Sequence, residues 1–172
     1  MNELNSETKK HPFNLKNPIH ILALGLGSGL LKPAPGTWGT LIAVPLYYPL
    51  SLLSLQHYIL AVFIAFLAGI YFCGKTASDI GVHDHGSIVW DEFVGLWITL
   101  AFIPVEHHWY WVVAGFIFFR FFDIVKPFPI SILDRKLHGG IGIMLDDVIA
   151  GFYAMACIVI AEEVWHFYGI NF

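Results

Sequence analysis

The residues most able to do chemistry in this 172-residue chain are acidic side chains at the ends of long apolar runs. One pair opens the run 88–105, a second pair opens the run 148–165, and a single acid closes the run 109–124. These carboxylates are Asp91, Glu92, Asp123, Asp146 and Asp147. Carboxylates at the edge of an apolar segment are costly unless they are paired, metal-bound or facing water, so their grouping predicts a site. The alternative is helix capping, because acids near a helix N-terminus are stabilised by the helix dipole.

Oxygen ligands without an accompanying set of cysteine and histidine side chains favour magnesium. Magnesium usually keeps some of its waters and shares its coordination shell with substrate phosphate. Adjacent acids point roughly 100° apart on a helix, so one acid of each pair can face a common centre. The carboxylates therefore predict Mg²⁺ as the cofactor and a phosphate group as part of the substrate.

Basic and hydroxyl side chains near these acids are candidates for binding that phosphate. Lys126 and Arg135 lie in the segment after Asp123, together with Arg120 and Lys136, although these cations also fit a role as topology signals alone. Thr37 lies in a Pro- and Gly-rich loop that could cradle an anion or form a plain turn. His85 could bind metal, act as a general acid, or belong to a hydrogen-bonded lid.

The composition predicts that the elements carrying these residues lie in a membrane. Apolar residues make up 57% of the chain and charged residues 13%, against about 45–50% and about 25% in soluble domains. So little charge excludes a water-soluble enzyme and a disordered chain. The formal net charge of −4 excludes a nucleic-acid binder, which needs cations to replace phosphate counterions.

Five apolar runs and one shorter segment predict an all-α, polytopic membrane helix bundle. The runs 38–55, 57–73, 88–105, 109–124 and 148–165 give about five spanning helices. The segment 19–31 is too short to span a bilayer and is expected to be a re-entrant or interfacial helix. Residues 1–17 form a polar cytoplasmic tail, and residues 18–172 form a single membrane-embedded domain.

The positions of lysine and arginine predict the orientation of this bundle. When the N-terminal tail is placed inside the cell, every Lys and Arg falls on the cytoplasmic side, as the positive-inside rule requires. The five carboxylates then lie at the cytoplasmic face, at the level of the inner-leaflet headgroups. We therefore expect a site that faces the cytoplasm and meets a phospholipid of that leaflet.

Sequence signatures of other phosphate enzymes are absent. The chain has no Cys-x5-Arg loop, no Asp-x-Asp pair, no Pro-Ser-Gly-His stretch and no Asp-Gly-x2-Ala-Arg stretch. For a phosphate enzyme, metal-assisted hydrolysis is then the simplest remaining mechanism.

Four long motifs resemble those of the phosphatidylglycerophosphatase A family. They occupy residues 32–39, 81–95, 123–129 and 139–151, and the likeness runs in the same order over about residues 17–165. The resemblance implies an all-helical, magnesium-dependent phosphatase of the bacterial inner membrane that converts phosphatidylglycerophosphate to phosphatidylglycerol. It also places the five acids in the site.

Individual roles follow as a hypothesis within that resemblance. The expected magnesium ligands are Glu92, Asp123, Asp146 and Asp147. The expected catalytic residues are Asp91 and Asp147, with Asp91 acting either as a base or through hydrogen bonds to the metal ligands. The residues expected to bind the substrate are Thr37, His85, Lys126 and Arg135.

Other functions fit the same sequence. A phosphatase for another lipid phosphate such as phosphatidic acid would use the same chemistry. A transporter would need polar residues in the middle of the runs 57–73 and 109–124, which have almost none, and a scaffold would show no hydrolysis. The small bundle also leaves room for a homo-oligomer.

Overall fold

The computed structural model describes residues 12–82, 84–103 and 109–168, apart from the side chains of residues 134, 135 and 166. Every regular element in this part of the chain is helical, in agreement with the expected fold class. The elements are α1 (Pro18–Ala23), a 3₁₀ helix (Gly25–Leu30), α2 (Pro35–Ser51), α3 (Leu55–Ile80), α4 (Trp90–Thr99), α5 (Trp109–Val125), α6 (Ile130–Lys136) and α7 (Gly139–Phe167).

Two of these helices are long and apolar enough to cross a bilayer, α3 and the part of α7 from Gly139 to Trp165. The outer face of α3 exposes large apolar side chains, among them Ile59, Phe63 and Ile64, each more than half accessible. A face of this kind is unfavourable in water and favourable against lipid chains. Two membrane helices are thus supported, while the expected number of about five is not confirmed.

The other predicted spans are shorter helices. α2 is one helix of 17 residues with Pro45 and Pro49 inside it. α5 also has 17 residues, so α2 and α5 are each about 25 Å long.

α4 is the buried centre of the bundle and does not extend over the predicted run 88–105. It has 10 residues, a length of about 15 Å, and most of its side chains are buried between α2, α3 and α7. The phenol of Tyr58 donates to the carbonyl of Trp97 at 2.5 Å, and that of Tyr47 donates to the carbonyl of Ile103 at 3.0 Å. These phenols satisfy carbonyl groups at the end of α4, which lets the helix stop inside an apolar environment.

Glycines allow α4 and α7 to cross at backbone contact. A Cβ atom on Gly151 would lie 2.6 Å from the carbonyl oxygen of Gly95. The hydroxyl of Thr99 donates to the carbonyls of both glycines, at 3.0 and 3.3 Å. Gly95 follows Asp91 by four residues and Gly151 follows Asp147 by four, so the crossing brings both acids to one side of the bundle.

The N-terminal segment holds the start of α4 in place. It forms two short helical pieces, α1 and the 3₁₀ helix, in place of the single short helix expected over 19–31. The amide of Val89 donates to the carbonyl of Ala23 at 2.9 Å, and Gly29 packs against the carbonyl of Ser87. The buried His20 accepts a hydrogen bond from the amide of Asn14 on Nδ1, which leaves Nε2 to donate to Asp79 of α3 at 3.2 Å.

Candidate metal centre

Three carboxylates from two helices converge at the crossing of α4 and α7. Asp91 and Glu92 lie in the first turn of α4 and Asp147 lies in α7. One oxygen from each lies within 4.8 Å of the other two. Glu92 and Asp147 are buried, with 8% and 3% of their surfaces accessible. The three carboxylates are therefore close enough together to be candidates for holding one metal ion.

The buried oxygens of this cluster lack hydrogen-bond donors. Among the described residues, Oδ1 of Asp91, Oε2 of Glu92 and Oδ2 of Asp147 are inaccessible to solvent and have no hydrogen-bond partner. Unpaired buried carboxylate oxygens are rare in folded proteins because the lost hydration costs several kcal/mol. A hard divalent cation would supply the missing interaction, so the donor set fits Mg²⁺.

Arg120 of α5 lies between the cluster and Asp123. Its Nη1 atom is 2.6 Å from Oδ2 of Asp123, one turn later on α5, and 3.7 Å from Oε1 of Glu92. The Asp123 carboxyl also interacts with that of Asp147. Asp123 therefore lies at the border of the cluster and holds a guanidinium there, where a planar fork of donors suits a phosphate.

Lys126 and Asp146 form a second ion pair beside the cluster, at 2.6 Å between Nζ and Oδ2. Lys126 follows the end of α5 with φ of +44°, a left-handed conformation that a residue with a side chain rarely adopts. Strained backbone of this kind persists where surrounding contacts determine it, and it is frequent at functional sites. The ion pair joins the end of α5 to α7 and places a second cation near Asp147.

The N-terminus of α2 closes the site from another side. A Cβ atom on Gly36 would meet the carboxylate of Glu92 and would lie 3.0 Å from Nη1 of Arg120. The backbone of Gly36 therefore packs directly on the acid and the guanidinium. Thr37 is the next residue, and it lies in the first turn of α2 where the sequence analysis expected a loop.

α3 contributes two buried side chains that sequence reasoning did not single out. Cys73 is fully buried, and its thiol donates to the sulfur of Met144 on α7 at 3.8 Å, three residues before Asp147. Thr76 follows one turn later, and its hydroxyl is buried without a hydrogen-bond partner among the described residues. The i, i+3 spacing of these residues was visible in the sequence, but an uncharged pair inside an apolar run gives no signal of a site.

The other predicted site residues make the following contacts, and their predicted roles stay predictions. Asp146, expected as a metal ligand, pairs with Lys126, and Asp123, also expected as a ligand, pairs with Arg120. The Nδ1 atom of His85 accepts from the amide of Ser87 at 3.2 Å, and its ring packs edge-on against Phe13. The side chain of Arg135 is outside the described part of the chain.

Arg120 was not among the residues predicted to form the site. Its signal was the spacing to Asp123, since residues three apart lie on one face of a helix. The described site thus has five carboxylates and two cations, Arg120 and Lys126. The excess of negative charge favours a bound cation, and the two basic groups at the edge favour an anion beside it.

Comparisons with known proteins agree with this chemistry. Residues 21–162 match the profile of the family described as phosphatidylglycerophosphatase A. The chain is 54% identical over 162 residues to phosphatidylglycerophosphatase A of Haemophilus influenzae, covering 94% of this chain and 97% of that protein. It is 47% identical over 159 residues to phosphatidylglycerophosphatase A of Escherichia coli, covering 92% of each.

A further relative carries a different name. The chain is 40% identical over 150 residues to a putative phosphatidylinositol-3-phosphatase of Bacteroides thetaiotaomicron, covering 84% of this chain and 93% of that protein. No solved structure gives a significant match. The profile and the two closely similar relatives extend over nearly the whole chain, which therefore belongs to the phosphatidylglycerophosphatase A family.

Proposed function

We propose that this protein hydrolyses the terminal phosphomonoester of phosphatidylglycerophosphate, releasing phosphatidylglycerol and inorganic phosphate in phospholipid biosynthesis. Family membership supports this reaction, since the relatives from Haemophilus influenzae and Escherichia coli are both named phosphatidylglycerophosphatase A. The observation that carries the proposal is the cluster of buried carboxylate oxygens without donors, bordered by Arg120.

In this proposal Asp91, Glu92 and Asp147 hold Mg²⁺, because their oxygens converge within 4.8 Å. When bound, the ion would polarise the phosphoryl oxygens and activate a water. This assignment revises the sequence-based roles. Asp91 joins the ligands, while Asp123 and Asp146 position the two cations.

The remaining groups act on the phosphate. Arg120 and Lys126 neutralise its non-bridging oxygens, which stabilises the charge that develops as the water oxygen bonds to phosphorus. The bond between phosphorus and the glycerol oxygen breaks, and the leaving oxygen takes up a proton. Because Gly36 packs on Glu92 and Arg120, backbone N–H groups at the start of α2, including that of Thr37, would support the phosphate.

We place the protein in the bacterial inner membrane with the cluster facing the cytoplasm. The acids lie near the C-terminal end of α3, which carries Lys75 and Asp79. They also lie near the N-terminal end of α7, which follows the basic segment 126–136. This puts the site at headgroup level on the positively charged side. The substrate would be a phospholipid of the inner leaflet.

The test is phosphate release by the purified protein in detergent. Phosphatidylglycerophosphate, phosphatidic acid and phosphatidylinositol 3-phosphate are compared, each with Mg²⁺ and with EDTA. We expect release from phosphatidylglycerophosphate that EDTA abolishes and added Mg²⁺ restores. Release that persists in EDTA would contradict the metal assignment, and a preference for another lipid would contradict the substrate.

Another lipid phosphate is the second candidate substrate, favoured by the relative named for phosphatidylinositol-3-phosphatase. The same panel decides between the two. Ion flux into proteoliposomes without phosphate release would instead favour a transporter, and absence of both activities would favour a scaffold.

A further inference from the structure

An apolar groove runs along the bundle between α3, α4 and α7. It encloses about 360 Å³, which lies within the size range of ligand pockets. Ile59, Phe63 and Phe66 of α3 form one wall, and Phe152 of α7 forms part of the other. Ile59, Phe63 and Phe152 are each about half exposed, so the groove opens on the apolar outer surface.

The groove runs along the bundle from the neighbourhood of Asp147 on α7, although none of the three clustered acids lines it. Its near end includes Val148, the residue after Asp147. Met155 lines it seven residues further along α7, a distance of about 10 Å. On α3 the lining residues continue from Phe66 to Ile59, which is again about 10 Å, toward the helix end opposite the cluster.

The lining offers nothing that would hold water or a polar ligand. Tyr58 has the one polar side-chain group among the lining residues, and its hydroxyl donates to the carbonyl of Trp97. A narrow, extended space with apolar walls fits a hydrocarbon chain. Because Val148 directly follows Asp147, a lipid whose phosphate lies at the cluster has this groove next to its phosphate for one of its chains.

We infer that this groove receives an acyl chain of the phospholipid whose phosphate is cleaved at the carboxylate cluster, an assignment that rests on the proposed function. Lipid tails are as apolar as the groove, so the transfer of a chain from the bilayer adds little affinity. The groove instead fixes the depth and direction of the lipid, which orients the phosphate toward Asp91, Glu92 and Asp147.

The first experiment compares two matched substitutions on α3. Ile59→Trp fills the groove, whereas Ile64→Trp changes an equally exposed isoleucine that does not line it. Activity is measured on dioleoyl and dihexanoyl phosphatidylglycerophosphate in the same detergent. For Ile59→Trp we expect kcat/KM on the dioleoyl lipid to fall about tenfold, because the indole would occupy space that the acyl chain needs.

The dihexanoyl lipid, whose chains are too short to extend far along the groove, should be cleaved by Ile59→Trp at the wild-type rate. Ile64→Trp should match the wild type on both lipids. An equal loss on both lipids, or the same chain-length profile in both variants, would overturn the inference. A wild-type protein that releases no phosphate from either lipid would contradict the proposed function instead.

A second experiment measures where the acyl chain of the lipid binds when no hydrolysis takes place. Phosphatidylglycerophosphate with a diazirine near the end of one acyl chain is photolysed on the wild-type protein in EDTA, and the labelled peptides are identified by mass spectrometry. We expect labels on the α3 segment 59–66 and on α7 around Phe152. Labels spread evenly over the exposed faces of α3 and α5 would overturn the assignment whether or not the protein is active.

Discussion

At the scale of single residues, the function depends on carboxylates that their surroundings do not satisfy. Asp91, Glu92 and Asp147 have oxygens buried without donors, while Asp123 and Asp146 have basic partners. A buried charge without a partner is retained at a cost to stability, and it is typical of a site that binds an ion. The convergence of Asp91, Glu92 and Asp147 makes them the proposed ligands, and the short ion pairs of Asp123 and Asp146 make those two acids the proposed positioning residues.

Asp147→Asn is expected to lower kcat by about a hundredfold or more, because one charged ligand oxygen is lost while the shape of the side chain is kept. Phosphate release measures the loss, and binding of Mn²⁺ followed by electron paramagnetic resonance measures the metal. Glu163→Gln, which changes an exposed acid near the other end of α7, is the control and should keep most of the activity. Near-normal turnover by Asp147→Asn would remove this residue from the site.

Arg120→Lys is expected to lower kcat/KM about tenfold or more even though the charge is kept. A lysine offers a point charge in place of the planar fork that can hold Asp123 and a phosphate at once. Lys75→Met, at an exposed pair on α3, is the matched control. Equal activity of Arg120→Lys and the wild type would show that the guanidinium geometry does not matter.

At the scale of elements, the site is built by the crossing of α4 and α7. Small residues let the backbones touch at Gly95 and Gly151, and the acids one turn earlier on each helix come together as a result. α4 can be short and central because Tyr47 and Tyr58 satisfy carbonyl groups where it ends. The helix therefore presents its charged N-terminus without needing to cross the whole bilayer.

Gly151→Ala is expected to reduce both stability and activity. The added methyl group would lie 2.6 Å from the carbonyl oxygen of Gly95, so the helices must move apart, at about 1–3 kcal/mol. Thermal unfolding in detergent measures the first effect and phosphate release the second. Gly86→Ala is the control, since a Cβ atom there meets nothing within 4 Å, and it should behave as the wild type. A fully active and stable Gly151→Ala would contradict the role of this contact.

At the scale of the whole molecule, the distribution of charge and apolar surface gives the protein its place in a membrane. Large apolar side chains cover the outside of α3, whereas the proposed site gathers acids and bases at one end of the bundle. A lipid phosphatase needs this arrangement, because its substrate carries the phosphate at the headgroup level and its chains in the apolar layer. Association with a second copy stays a prediction.

The orientation can be tested with reporter fusions at the C-terminus. If the site faces the cytoplasm and α7 crosses the membrane once, the C-terminus lies on the periplasmic side. An alkaline phosphatase fusion should then be active and a green fluorescent protein fusion dark. A bright fluorescent fusion with an inactive phosphatase fusion would reverse the proposed orientation.

The sequence by itself determined the class of fold and the residues available for chemistry. Its high apolar content and long runs predicted a helical membrane protein, and its motifs predicted the family and the five acids. These properties follow from composition and local spacing, which act within one helix at a time.

Only the tertiary structure decided which side chains meet. The pairing of Asp123 with Arg120, the convergence of Asp91 and Glu92 with Asp147, and the early end of α4 depend on contacts between segments far apart in the chain. The physical reason is that a carboxylate is satisfied by whichever donor or ion lies within a few ångströms. That neighbour is set by helix crossings such as Gly95 on Gly151, which local sequence patterns do not specify.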